Sequence, residues 1–153
     1  MIEELVRQVN SLQKQIDDLV KPEVGRWVSW TPTITQSVAV TVRVVYARYN
    51  IVNNIVSVYV ALETTSAGTI TNAIVIGGQP TSIYPAYNLG QGIIGSAVIH
   101  DAGTTVYTAA LAAKSSTDWR MFVTSNGNYA GITPNFALAN GDYISFYGVY
   151  KKL

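Results

Sequence analysis

The spacing of apolar residues changes once along this chain, from 3.5 residues to 2, and that change limits what each part can fold into. Ile2, Leu5, Val9, Leu12, Ile16 and Leu19 recur at 3-4-3-4-3 spacing, placing Ile or Val at every a position and Leu at every d position of three heptads. A single helix cannot bury such a seam. The pattern predicts a short coiled coil over residues 1–21 whose partner is another copy of the chain. Charged Glu3, Glu4, Arg7, Lys14, Asp17, Asp18 and Lys21 fall at b, c and f, away from the seam, while e and g hold Val6, Gln8, Gln13, Gln15 and Val20. β-Branched a with Leu at d favours two strands. Apolar Val6 and Val20 at e widen the seam toward three, and a homotrimer is the expectation. Lys21-Pro22 ends the helix, because proline disfavours helix in the residue before it. At about 1.5 Å per residue the helix is on the order of 30 Å long, a clasp rather than a shaft. The competing reading is an amphipathic helix folded back on its own domain.

Residues 22–29 read as a linker, and residues 30–153 as one domain in which the period is two. Val38, Val40, Val42, Val44 and Tyr46 alternate with smaller or polar residues. After a turn region at Asn50–Asn54, Val56, Val58, Val60 and Leu62 do the same. Further strands are predicted near Trp30–Thr35, Ala73–Gly77, Ile93–Ile99, Thr104–Ala113, Trp119–Thr124 and Asp142–Tyr150. Ser66-Ala67-Gly68-Thr69, Asp101-Ala102-Gly103-Thr104 and Ser125-Asn126-Gly127-Asn128 supply turn chemistry between them. About eight short strands without a second helix predict a mainly β fold, an antiparallel β-sandwich or jelly roll.

Composition adds a constraint on the surface. The chain is 48% hydrophobic but only 12% charged, where typical domains carry about 25%. The last strand is apolar on both faces, with Tyr143, Tyr147 and Val149 on one and Ile144, Phe146 and Tyr150 on the other. Ile55 and Tyr59 likewise sit opposite a core-facing row. Both observations predict subunits packed side by side, with Tyr143, Tyr147 and Val149 joining the heptad residues as oligomerisation positions. A net charge of +1 and no basic stripe give no reason to expect nucleic acid. The N-terminus lacks a basic and then apolar leader, and no apolar run reaches the roughly 18 residues of a membrane span. Membrane insertion is not expected, and synthesis in the cytoplasm is.

Several stretches together resemble a β-sandwich domain found at the C-terminal ends of tailed-bacteriophage fibre and minor tail proteins. They are Trp30-Thr31-Pro32-Thr33-Ile34-Thr35, Val44-Val45-Tyr46-Ala47-Arg48-Tyr49, Thr65-Ser66-Ala67-Gly68-Thr69 with Asn72-Ala73-Ile74-Val75-Ile76, Ser125-Asn126-Gly127-Asn128, and the run from Pro134 to Asp142. The resemblance spans residues 27–153. It implies a homotrimeric jelly roll in the virion, at a short fibre or tail tip near the host surface. Two features depart from the pattern: Asn50-Ile51-Val52-Asn53-Asn54 stands where a glycine turn is expected, and such domains usually end much longer chains. The second departure leaves a capsid decoration protein or head fibre as the alternative, with the N-terminal helix as the expected contact to another virion protein.

Catalytic chemistry finds little material. Beyond residue 26 the acids are Glu63, Asp101, Asp118 and Asp142, and the three aspartates sit at turns or strand ends, where aspartate is common. A glycan-cleaving tailspike needs two carboxylates across one bond, and nothing in the sequence pairs them. His100 and Asp101 are neighbours, but adjacent strand residues point to opposite faces. One histidine and no cysteine argue against a transition-metal site. Gly77-Gly78 and Gly90-Gln91-Gly92 precede no helix or lysine, so no phosphate loop is formed. The chain does not read as an enzyme, and no cofactor is expected. Aromatic residues remain. Tyr84, Tyr87, Trp119, Arg120 and Tyr129 are the candidates for stacking on and hydrogen-bonding to a host-surface glycan. Their alternative is packing at a subunit seam, while a free-standing monomeric lectin would leave the heptads unexplained. Trp27 and Trp30 are expected to staple the helix to the domain.

Overall fold

The computed structural model describes residues 2–20, 25–85, 92–123 and 127–153, and within the helix the side chains from Glu4 to Gln15. Helix α1 spans Ile2–Val20, as the heptads predict. Among the described residues eleven strands follow: β1 (Val28–Ser29), β2 (Thr33–Gln36), β3 (Val38–Val40), β4 (Val42–Val52), β5 (Ile55–Thr64), β6 (Val75–Gly77), β7 (Gly92–Asp101), β8 (Thr105–Ala113), β9 (Trp119–Val123), β10 (Asn128–Tyr129) and β11 (Tyr143–Lys151). The fold is mainly β, and every strand pairing is antiparallel.

The strands form one continuous hydrogen-bonded sheet, not two separate leaves. Its order is β1-β4-β5-β11-β7-β8-β9-β6-β2-β3, with β10 beside β9. The link from β9 to β6 is short, pairing only Val75 with Arg120 and Ile76 with Trp119. β3 lies at one end of the order and β4 next to the other end, yet they are consecutive in the chain, separated by Thr41 alone. The sheet therefore curls until its two ends meet through the backbone, and the core fills the inside of the curl.

The core is the inward row of each strand. Val56, Val58, Val60 and Leu62 of β5 are fully buried, and Ile144, Phe146 and Tyr150 of β11 pack beside them. Trp119 lies at the centre, with Trp30, Phe146 and Tyr150 meeting it edge-on at centroid distances of 6.2, 6.4 and 5.6 Å. The Tyr150 hydroxyl reaches the Ile83 carbonyl at 2.7 Å, and burial pushes its pKa upward. A buried amide, Gln36, stitches three loop segments together. Its Nε2 donates to the carbonyls of Phe136 and Asn72, and its Oε1 accepts the Leu138 N–H at 2.8 Å.

Three details depart from the sequence expectations. The Asn50–Asn54 turn contracts to Asn53-Asn54, whose φ values of 50° and 65° suit the two-residue hairpin turn joining β4 to β5. The alternating run from Val38 to Tyr46 is interrupted at Thr41 and again by a bulge between Val44 and Tyr46. Val42 and Val44 pair with the core-row residues Thr64 and Leu62, but past the bulge Tyr46 faces Ala61 on the outer row and Ala47 takes over the inner one. Trp27 and Trp30 do not act together: Trp30 is buried against Trp119, whereas Trp27 is exposed.

Candidate functional site

The outward rows of β4, β5, β11, β7 and β8 follow from the same alternation that builds the core. With Phe146 and Val58 pointing in, their neighbours Tyr147 and Tyr59 must point out. Cross-strand register then lines up Arg48, Tyr59, Tyr147, Ser96 and Ala110 in one row, and Tyr46, Ala61, Ser145, Val98 and Thr108 in the next. Tyr59 and Tyr147 are 47% and 46% exposed, and Val98 and Val149 are exposed with them. Tyr46 meets Tyr59 edge-on at 5.2 Å, and the Arg48 guanidinium lies 5.3 Å from the Tyr46 ring. Beside the two exposed tyrosines, over β7 and β8, the surface dips into a depression of about 270 Å³, lined by Tyr59, Tyr147, Ser96, Ser145, Val98 and Thr108 among others.

Next to the depression, β7 and β11 also approach closely in their backbones. Gly95 and Gly148 face each other across β7 and β11. A Cβ on Gly95 would lie 1.9 Å from the Tyr147 carbonyl oxygen, so the two strands approach there more closely than side chains permit. The depression is lined by small residues, Ser96, Ala97, Thr108, Ala109 and Ser145, with the Tyr59 and Tyr147 rings beside it.

Charge is confined to the margin of this face. Arg43 and Glu63 pair with each other next to Tyr143, and that bond to Glu63 raises the Arg43 pKa. His100 lies on the other side of Tyr143. Tyr143 is half-buried at this charged end, while Tyr147 and Val149 are exposed further along. Of the oligomerisation residues read from the sequence, then, all three on β11 lie on the outer face, and Tyr147 occupies its centre. Tyr59 shares that centre and was visible as an apolar residue opposite a core row. Tyr46, Ser96, Ser145 and Thr108 carried no such signal, since only the register of four strands assembles them.

On helix α1 every side chain from Glu4 to Gln15 is exposed. Leu5, Val9 and Leu12 stand 63%, 56% and 57% exposed, with Val6 beside them. Ile2, Ile16 and Leu19 belong to the same helix, and their side chains lie outside the described set.

The five glycan candidates do not form one site. Trp119 is fully buried, contrary to the sequence expectation, because the phase of β9 sends Trp119, Met121 and Val123 inward, where no surface ligand reaches them. Arg120 and Tyr129 do come together, with the guanidinium 5.2 Å from the ring. Arg120 is also engaged bidentately by Asp118, at 2.9 and 2.7 Å, which raises its pKa. Tyr129 packs edge-on against Phe122, with its hydroxyl buried and unpartnered. Tyr84 is half-buried at the C-terminal end of the chain, where its carbonyl accepts the Leu153 N–H. Tyr87 lies outside the described residues.

The four acids of the β region each have local work. Glu63 and Asp118 hold arginines. Asp142 is fully buried and accepts the backbone N–H groups of Ala102 and Ala139 at 2.9 and 2.8 Å, fixing two turns. Asp101 closes β7, its pKa raised by partial burial and by the nearby Asp142. Among the described residues no group of three or more His, Asp or Glu side chains is placed to hold a metal ion, and no helix is long and apolar enough to cross a membrane. Comparison with protein-family models, with curated proteins and with solved structures found no match to this chain.

Proposed function

We propose that this chain is a non-enzymatic structural subunit of a tailed-phage particle, a homotrimer whose short coiled coil carries a jelly-roll-like knob at a fibre or tail tip, where it contributes to host-surface recognition. One observation carries the assembly: a single chain presents two apolar surfaces with no intramolecular cover, the heptad stripe of α1 and the outer face of the sheet. The placement on a phage particle is supported by the resemblance of residues 27–153 to fibre and minor tail domains. The non-enzymatic reading is supported by the acids, which are committed to arginines and turns. A partner virion protein is taken up by the helix, and a host-surface glycan by the side chains of Arg120 and Tyr129.

Two measurements test this. Multi-angle light scattering is expected to give three times the 16.6 kDa subunit mass. A dimer would remove the trimer, and a monomer at tens of micromolar would remove the assembly altogether. Gold-labelled antibody on intact particles is expected to mark the tail tip. Marking of the head would assign the capsid-decoration role instead, and unlabelled particles would overturn the virion assignment.

A further inference from the structure

We infer that the outer face of the sheet, centred on Tyr59 and Tyr147, is a contact between copies of this chain that holds without the coiled coil. This rests on the assembly proposed above and deepens it by naming the surface and its occupant.

Size is the first argument. Five strands of nine to eleven residues form the face. At about 4.8 Å between strands and about 3.3 Å per residue, it covers on the order of 600 Å² in plan. Side-chain relief raises the accessible area above that figure, toward the roughly 800 Å² that a stable interface takes from each partner. The anatomy also matches. Exposed aromatic rings stand at the centre beside a depression lined by small residues, and the Arg43–Glu63 pair and His100 lie at the rim. A space of about 270 Å³ accommodates a side chain from an apposed copy.

Two further observations select a second copy over an unrelated protein. In the two rows through Tyr59 and Tyr147 the charged side chain is Arg48, on the border strand β4 and held against the Tyr46 ring of its own chain, so no charged cluster there selects an unlike partner. The helix, which needs other copies for its own seam, is tethered at the border of this same face. β1 pairs with β4 at Arg48 and Tyr49, Trp30 N–H bonds the Ala47 carbonyl at 3.2 Å, and Asn50 Nδ2 holds the Gly25 carbonyl. Copies brought together by α1 therefore have their β4 borders, and with them these faces, close at hand.

The test uses the full-length protein in sedimentation velocity over a range of concentrations. A Leu5→Glu/Leu12→Glu variant, with its seam broken, is expected to remain oligomeric. Adding Tyr59→Glu and Tyr147→Glu to it is expected to raise the apparent dissociation constant by about a hundredfold, as for loss of paired tyrosine hot spots, while the β circular-dichroism signal persists. A seam variant that is already monomeric would overturn this inference and leave the coiled-coil assembly standing. An oligomer that survives all four substitutions would overturn it too. A wild-type monomer would overturn the assembly itself. Should the tyrosine variants fail to fold, hydroxyl-radical footprinting of the wild type decides: Tyr59 and Tyr147 are expected to be protected on assembly, and equal labelling at high and low concentration would rule the contact out.

Discussion

Helix α1 and strand β11 both carry apolar residues at regular spacing, but they stand in different positions toward solvent. The helix is exposed on every side from Glu4 to Gln15, so its apolar stripe has no backing and no cover. In β11 the inward row of Ile144, Phe146 and Tyr150 is buried, and that burial holds the outward row of Tyr143, Tyr147 and Val149 in place. The difference teaches that exposed apolar surface comes in two kinds. One is built rigidly by a core beneath it. The other exists only if a partner stabilises the element that bears it, since an isolated helix of this length is marginal in water.

The sharpest way to break the comparison is to remove the backing. Trp119→Ala takes away the ring that Trp30, Phe146 and Tyr150 surround, and is expected to cost about 3–5 kcal/mol in chemical denaturation. The tyrosine face should be lost with the fold. Gly95→Ala acts next most strongly. Its Cβ meets strand backbone, so β7 and β11 must separate, and a loss of about 1–3 kcal/mol is expected from the midpoint of urea unfolding.

Leu12→Glu tests the other kind of surface. Helical circular dichroism is expected to fall, while the unfolding of the β region shifts by no more than about 0.5 kcal/mol. A parallel loss of β stability would show that α1 leans on the domain after all. Tyr147→Ser should move β-region stability equally little, yet weaken association. The smallest effect is expected from Asp101→Asn. Because the folded state raises the Asp101 pKa, its protonated form is the favoured one there, and the charged form disfavours folding as pH rises past its folded pKa. The asparagine variant should therefore melt slightly higher than wild type at pH 7. That advantage should vanish below about pH 4, near the ordinary aspartate value. An unchanged difference across that range would remove the carboxylate as its cause.

Much of this was legible in advance. The helix, the all-β region, the buried row from Val56 to Leu62 and the grouping of Tyr143, Tyr147 and Val149 on one face of β11 all follow from spacing alone. What spacing could not show is which face of a strand a core will take when both are apolar. Trp119 looked like a surface aromatic because Asp118 and Arg120 flank it, but alternation sends those two outward and the tryptophan in. The bulge after Val44 was equally hidden, since one extra residue inverts every assignment that follows it. Sequence likewise said nothing of the role of Asp142, whose turn position gave no hint that its carboxylate is buried and ties two loops.

The sequence by itself therefore determined the periods: a helix with one apolar stripe, then strands with two faces, in a chain too poor in charge to cover both with polar groups. Tertiary structure alone decided how those faces meet. It curled the sheet until β3 and β4 joined its ends, and brought Tyr46, Tyr59, Tyr147, Ser96 and Ser145 from four strands into one patch. The physical reason is that periodicity is a property of consecutive residues, whereas a surface is made by register between strands far apart in the chain.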